Sequence, residues 1–263
     1  MKTILVTGAT DGIGRLATEK FAKLGHQILA HGRDQKKLES LTNNTIGKIE
    51  PYQADLSNLS DVRTMCRQLL KQHKRLDAIV NNAGVLKAPN TQTRTNRDIR
   101  FEVNTIAPYL ITRELLPIIE PKGVIVNVSS AAQAPVDIEA LKQFKTMGDM
   151  DAYAQSKLAI TAWSRYLAQT LTDGPSVVSV NPGSLLATKM VKDGFGIEGK
   201  DLNIGADVLV RLVTDPVASK RTGEFFDNDL GDFGCPHSDV FDDSFSRRLI
   251  TSLDTIINET STK

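Results

Sequence analysis

Two hydrophobic periods alternate along this chain. Thr3-Ile4-Leu5-Val6-Thr7 is a β-branched run that stops at Gly8, the signature of a short strand. Ile13, Leu16, Ala17, Phe21 and Leu24 then recur at the spacing of one helix face. QILA (27–30) predicts a second strand, followed by His31-Gly32-Arg33-Asp34 and a short charged helix. KIEPYQA reads as a strand reaching Asp55, and 59–72 as a helix with Val62, Met65, Cys66, Leu69 and Leu70 on one side. A strand at LDAIV, a long helix over 99–118 and a strand at GVIVNVS follow. A helix over 153–171, a strand at SVVSV, a helix near 204–213 and a strand at GEFFDN complete the series.

Strands and helices alternate throughout, and several strands are almost wholly apolar, as expected when helices cover both faces of a sheet. The pattern predicts an α/β fold, a doubly wound parallel sheet with helices on both faces. One domain over 1–263 suffices for it. Residues 131–150 and 184–202 carry no clear element, and long loops in compact domains are usually functional or mobile. Residues 243–263 read as a polar, partly helical tail.

Composition narrows the function classes. The 263 residues carry a formal net charge of +1, so neither nucleic acid nor an anionic membrane is an expected partner. Cys66 and Cys235 show no metal-ligand spacing, and neither do His26, His31, His73 and His237, so no metal is expected. Lys2 precedes a strand-length apolar run, not a signal-length one. No apolar stretch approaches the ~18 residues of a membrane span. The expected location is cytoplasmic.

The loop between the first strand and first helix is TGATDGIG, with glycines at Gly8, Gly12 and Gly14. Glycines there allow a tight turn and close backbone approach, and the helix start offers unpaired N–H groups and a positive dipole end. A pyrophosphate fits that description; a turn needed only for helix–sheet packing is the plain alternative. At the end of the second strand, where a dinucleotide fold meets the adenosine ribose, stand Gly32 and Arg33. A guanidinium clamps a phosphate with paired hydrogen bonds, so NADP(H) is favoured, with NAD(H) as the alternative. Asp11 leans the other way, because its charge lies near the loop. Arg33 could also be a solvated loop cation.

Four motifs then occur in order: Thr7-Gly8-x3-Gly12-Ile13-Gly14, Asn81-Asn82-Ala83-Gly84, Tyr153-x3-Lys157 and Pro182-Gly183. Together they resemble the short-chain dehydrogenase/reductase family, in its subgroup of about 250-residue enzymes, from Lys2 to about Asn228. The resemblance implies a Rossmann-type sheet of about seven strands and a nicotinamide cofactor. It implies an oxidoreductase that moves hydride between nicotinamide and a carbonyl or secondary alcohol.

Tyr153 and Lys157 lie one helical turn apart and share a face. A phenol is a poor base at neutral pH, and a neighbouring ammonium is expected to lower its pKa. The pair can then give a proton to a carbonyl oxygen or take one from an alcohol. The apolar strand before it ends at Ser129 and Ser130; the family pattern makes Ser130 the catalytic serine, with Ser129 as the alternative. Asn104 resembles the family's helix asparagine, which completes a proton relay through a water beside the lysine; a local helix distortion is the plain reading. The resemblance assigns Gly8, Thr10, Asp11, Gly12, Ile13, Gly14, Arg33, Asp55, Leu56, Asn81, Ala83, Gly84, Tyr153, Lys157, Pro182, Gly183 and Thr188 to the cofactor. Asp55 would meet the adenine amino group and Thr188 the nicotinamide carboxamide, though both also suit strand-end turns.

The chain departs from the usual pattern between Ser130 and Tyr153, where residues 131–152 intervene. Longer inserts here occur in members resembling retinol dehydrogenases and carbonyl reductases. A short helix near 138–144 is expected, and the insert is expected to rim the substrate pocket or to be a surface excursion. A homodimer through the helices of Asn104 and Tyr153 is favoured over a monomer, and the insert could cover that surface. Ala159, Ala162 and Tyr166 would allow close packing there. Val85, Leu86, Ala131, Leu185, Leu186, Met190, Phe195 and Ile197 are candidate pocket residues, suggesting a mainly apolar small-molecule carbonyl or alcohol, although core packing explains the same composition. Gly194, Gly196 and Gly199 suit a mobile substrate lid over 184–202. Two other readings stay open: a non-catalytic dinucleotide sensor of the same fold, and an epimerase or dehydratase.

Overall fold

The computed structural model describes residues 1–259; residues 260–263 of the expected tail and the side chain of Phe195 lie outside the description. Eight strands form one sheet in the order β3-β2-β1-β4-β5-β6-β7-β8. They are β1 (Thr3–Val6), β2 (Gln27–Gly32), β3 (Lys48–Gln53), β4 (Leu76–Asn81), β5 (Ile119–Val128), β6 (Ser176–Asn181), β7 (Phe225–Asp227) and β8 (Asp232–Gly234). All neighbours are parallel except β7 and β8. The expected doubly wound sheet is therefore present with eight strands in place of about seven. β8 has only three residues, folded back by a turn with Gly231 at φ 76°. Its Phe233 meets Phe226 edge-on with ring centroids 5.1 Å apart.

The pleat divides the core into two halves. Ile4 and Val6 of β1, Val80 of β4 and Val126 of β5 face helices α1 (Gly12–Lys23), α2 (Gln35–Asn44) and α9 (Leu202–Thr214). Leu5, Ile79 and Ile125 face the opposite layer. That layer holds α3 (Leu59–Gln72), α5 (Ala107–Leu115), α7 (Asp149–Thr170) and α10 (Asp243–Glu259). The period-2 alternation of each strand thus covers both faces.

Three elements depart from the expected pattern. The long helix expected over 99–118 is composite: α4 (Ile99–Phe101), a π-turn at Glu102–Ile106, α5, and a 3₁₀ turn at Leu116–Ile118. The short helix α8 (Lys189–Phe195) lies inside the expected lid, ended by Gly196 in the left-handed region at φ 68°. The tail is more than a polar extension: α10 presents Phe245, Leu249, Leu253, Ile256 and Ile257 to the core. Tyr109 Oη donates to Asp254 Oδ1 at 2.8 Å, and Arg63 donates to the Ile257 carbonyl. α10 therefore covers the layer built on α5 and α7. The insert forms the short helix α6 (Ile138–Lys142).

Candidate active site

The carboxyl ends of β1, β4 and β5 bring three of the motifs together. The Val6–Gly8 exit from β1 is braced by the Asn82 side chain, which donates to Thr7 O at 2.9 Å and Gly8 O at 3.3 Å. Thr7 Oγ1 in turn accepts from the backbone N–H groups of Asn82 and Ala83, at 3.0 and 3.1 Å. Gly14 is forced by this packing: a Cβ there would lie 2.2 Å from Gly8 O and 2.3 Å from Asn82 Nδ2. Gly8 itself sits at φ 66°, in the region glycine tolerates. Thr7 and Asn82 belong to the quoted motifs, yet neither carries a role in the sequence reading.

His31 is a third residue that sequence reasoning missed. Its ring is buried and bridges the loop to two strand ends: Nδ1 accepts from Gly8 N at 3.2 Å, and Nε2 donates to Ala54 O at 3.1 Å. Accepting at Nδ1 fixes the neutral Nε2–H tautomer. Burial holds the imidazole far below its ordinary range, at about 4.

Asp11 caps α1, accepting from Gly12 N at 2.9 Å. Its other oxygen accepts from Lys37 Nζ at 2.9 Å, and this bond holds the carboxyl below its ordinary value. Thr10 packs over Gly32, where a Cβ would meet Thr10 Cγ2 at 2.6 Å. Arg33 is exposed at the end of β2. Thr10, Asp11, Arg15, Lys37 and Ser40 line a small polar recess of about 130 Å³. Ile13 turns its side chain away from this loop, toward Gly205 of α9.

The third motif stands on α7. The Tyr153 phenol faces the Ser130 side chain, and Lys157 Nζ lies 5.5 Å from the Tyr153 ring centroid. Lys157 Nζ donates to Val128 O at the end of β5, at 2.7 Å. Burial pushes the Lys157 ammonium down to about 7. Burial also raises the Tyr153 phenol, with the Ser130 side chain acting the other way. The phenol is therefore shifted upward by burial, opposite in direction to the lowering expected from the lysine, and burial also drives the amine toward neutrality.

Asn104 sits within the π-turn, both of its amide hydrogens donated. Nδ2 donates to Val85 O and Ser156 Oγ, both at 2.9 Å, and Oδ1 accepts from Val85 N at 2.8 Å. The helix distortion weighed against the relay is thus present at this residue. Gly84 lies beside both groups: a Cβ there would be 3.5 Å from Asn104 Oδ1 and from Lys157 Nζ, and 3.6 Å from Met190 Cε.

The remaining expected residues divide. Asn81 points inward, donating to Asn127 Oδ1 at 2.8 Å and Thr112 Oγ1 at 3.2 Å. The Leu56 side chain is in the core. Asp55 accepts from Ser57 N and Oγ, at 2.9 and 2.8 Å. Pro182 O accepts from Asn228, and Gly183 N donates to Asn181. Thr188 caps α8 through Val191 N at 3.1 Å, with its methyl 3.7 Å from where a Gly12 Cβ would sit. The lid base thereby faces the glycine loop. Leu86 is buried against Gly194, Leu186 is in the core, and Leu185 and Ile197 face outward. The insert wraps the start of α7: Ala134 N donates to Ala154 O at 3.3 Å, Asp137 N to Gln155 Oε1 at 3.0 Å, and Phe144 N to Asn96 O at 2.7 Å.

Residues 2–195 match the family described as short chain dehydrogenase. The chain belongs to that family. Mouse retinol dehydrogenase 13 is 28% identical over 275 residues, covering 95% of this chain and 82% of its own length. Human polyprenol dehydrogenase is 31% identical over 195 residues, 68% of this chain and 58% of its own. The structure of landomycin C-6 ketoreductase, with bound NADP and rabelomycin, has a TM-score of 0.66 and 30% identity, covering 86% of this chain and 94% of that one. A Mycobacterium paratuberculosis protein shares the fold, with a TM-score of 0.81 at 23% identity over 98% of this chain and 94% of its own. This short-chain dehydrogenase is an oxidoreductase acting on CH–OH or C=O groups. Among the described residues, no helix is long and apolar enough to cross a membrane.

Proposed function

We propose that this short-chain dehydrogenase is an NADP(H)-dependent enzyme that interconverts a carbonyl and a secondary alcohol on a mainly apolar small molecule. The observation that carries the reading is the meeting of Ser130, Tyr153 and Lys157 at the end of β5. When bound, the nicotinamide cofactor gives or takes the hydride. Gly8, Gly12 and Gly14 would hold its pyrophosphate at the start of α1. Arg33 would hold the 2′-phosphate. Its guanidinium has no hydrogen-bond or ion-pair partner among the described residues, and the Asp11 carboxylate, which would repel a phosphate, is already matched by Lys37. Landomycin C-6 ketoreductase, a relative in fold, carries NADP.

Ser130 and Tyr153 would together hydrogen-bond the substrate oxygen. A phenol raised by burial is protonated at neutral pH, the form that donates during reduction. Lys157, near 7, stands ready to hold or release a proton beside it. Any part Asn104 takes in relaying that proton falls to its carbonyl oxygens, since both amide hydrogens are already donated. Thr188, Pro182 and Gly183 would border the nicotinamide, while Asp55 and the backbone around Leu56, Asn81 and Ala83 would border the adenosine.

Met190 beside Gly84 and Leu86 against Gly194 support an apolar pocket under a lid at 184–202, with the 131–152 insert at its rim. The cover α10 gives α5 and α7 supports the monomer over the homodimer.

The test is Tyr153→Phe. It should bind NADPH like the wild type in a nicotinamide fluorescence titration and lose roughly 10²–10⁴ in turnover. Wild-type turnover would overturn the assignment.

A further inference from the structure

We propose that Arg100 is a positioning residue, which fixes the start of the Tyr153 helix against the turn bearing Asn104. The inference rests on the proposed roles of Tyr153, Lys157 and Asn104. Arg100 is almost wholly buried, 1% exposed. Its Nη2 donates to Asp98 Oδ2 and its Nη1 to Asp149 Oδ1, both at 2.7 Å. Asp98 is itself fixed, because its other oxygen caps α4 by accepting from Arg100 N at 2.8 Å. The guanidinium is therefore mounted on its own helix and reaches across to the first residue of α7.

The spacing gives this bridge its meaning. Asp149 stands four residues before Tyr153 on the same helix, one turn, or about 6 Å of rise. Arg100 stands four residues before Asn104, and the intervening π-turn removes the regular ladder that would otherwise hold Asn104 in register. One planar, bidentate group thus ties together the two helix starts from which the site is hung. A second tie lies a turn further on, where Asn104 Nδ2 donates to Ser156 Oγ. Further along α7, Thr105 Oγ1 donates to Ser156 O and Ser129 Oγ to Lys157 O, both at 2.9 Å, so Arg100 is the tie that acts at the first turn, ahead of Tyr153.

The two ends of the bridge differ in what they risk. Arg100→Met would strand the buried Asp98 carboxylate, and such a variant can fail to fold. The Asp149 side chain is 41% exposed, so its removal leaves the buried Arg100–Asp98 pair intact. The decisive variant is therefore Asp149→Ala, with Asp149→Asn as the conservative partner that keeps an acceptor oxygen. Steady-state turnover with an accepted carbonyl substrate, NADPH titration and thermal melting are measured in parallel, beside Tyr153→Phe.

Asp149→Ala should lose on the order of tenfold in kcat, the scale expected when a reacting group is misplaced by a fraction of an ångström. NADPH affinity should hold and the melting temperature should change little. Asp149→Asn should recover most of the loss. A wild-type kcat in Asp149→Ala, with Tyr153→Phe inactive, would overturn the positioning role and leave the site standing. Equal losses in kcat, cofactor affinity and melting temperature would also overturn it, as general loosening. An active Tyr153→Phe would instead remove the site on which the inference rests.

Discussion

Ser129 and Ser130 are adjacent in the chain and opposite in direction. Ser129 Oγ donates to Lys157 O at 2.9 Å and lies 2.7 Å from Thr161 Oγ1, so it ties β5 to α7. Ser130 Oγ accepts from Ala132 N at 3.1 Å and faces the Tyr153 phenol. The pleat of the strand end makes this division. Ser130→Ala should therefore cost kcat, by about 10- to 100-fold if its hydroxyl holds the substrate oxygen, with an unchanged melting temperature. Ser129→Ala should cost about 1 kcal/mol of stability and retain most turnover. Kinetics and chemical denaturation on the pair read both effects; the reverse assignment would move catalysis to Ser129.

The glycine loop depends on Asn82 as much as on its glycines. The amide fills the space a Gly14 side chain would need and bonds two carbonyls of the loop. Asn82→Ala removes both bonds and leaves a void beside Gly8. It should raise the NADPH Kd at least tenfold, with kcat at saturating cofactor much less affected. An unchanged Kd would mean that the loop holds its shape without this brace.

Much of this fold is legible in the sequence, and the exceptions have physical reasons. The parallel strands stand out because both their faces are covered, and α3 because its apolar stripe is regular. β8 is three residues long, too short for any period to appear. α8 is interrupted by Gly194 and stopped by Gly196. The apolar residues of α10 recur at helical spacing, but the surface that receives them comes from α3, α5 and α7, far off in the chain. The same limit governs the site. Tyr153-x3-Lys157 declares itself because both residues share one helix. His31 bridges Gly8 and Ala54, and nothing local marks that bridge. Asn81 and Asn82 are equivalent by composition, and only the pleat decides that Asn81 turns inward while Asn82 braces the loop.

Arg33 makes a selectivity prediction. Arg33→Ala should weaken NADPH binding by roughly tenfold or more, the loss of a charge-assisted phosphate contact. NADH binding should hardly change, because NADH offers no phosphate at that position. Parallel fluorescence titrations at fixed ionic strength measure both. Equal weakening of the two cofactors would put Arg33 against a part they share, such as the adenine.

His31 predicts an acid-sensitive step in folding stability. In the folded protein its ring stays neutral down to about pH 4, while the unfolded chain protonates it near the ordinary value of 6.5. Between those limits the unfolded state holds more protons, so the contribution of this ring to stability falls as pH drops from 6.5 toward 4 and levels off outside that window. The full span, 2.5 units at 1.36 kcal/mol each, is about 3 kcal/mol. The lowered carboxyls of Asp11, Asp137 and Asp229 act only below their ordinary value of 3.8, outside most of this range. His26 is lowered in the same direction and adds to the slope, while the buried Glu102 carboxyl, raised above its ordinary 4.5, opposes it, so the absolute slope does not identify His31. The comparison that does is denaturation of wild type and His31→Gln at pH 7.5, 6, 5 and 4.5. The variant should be less stable at pH 7.5, having lost a well-fitted bridge between Gly8 and Ala54. Its stability should then decline less steeply, so that the two curves converge on acidification. Parallel curves would show that the imidazole titrates alike in both states, and that the loop is held by something other than this neutral ring.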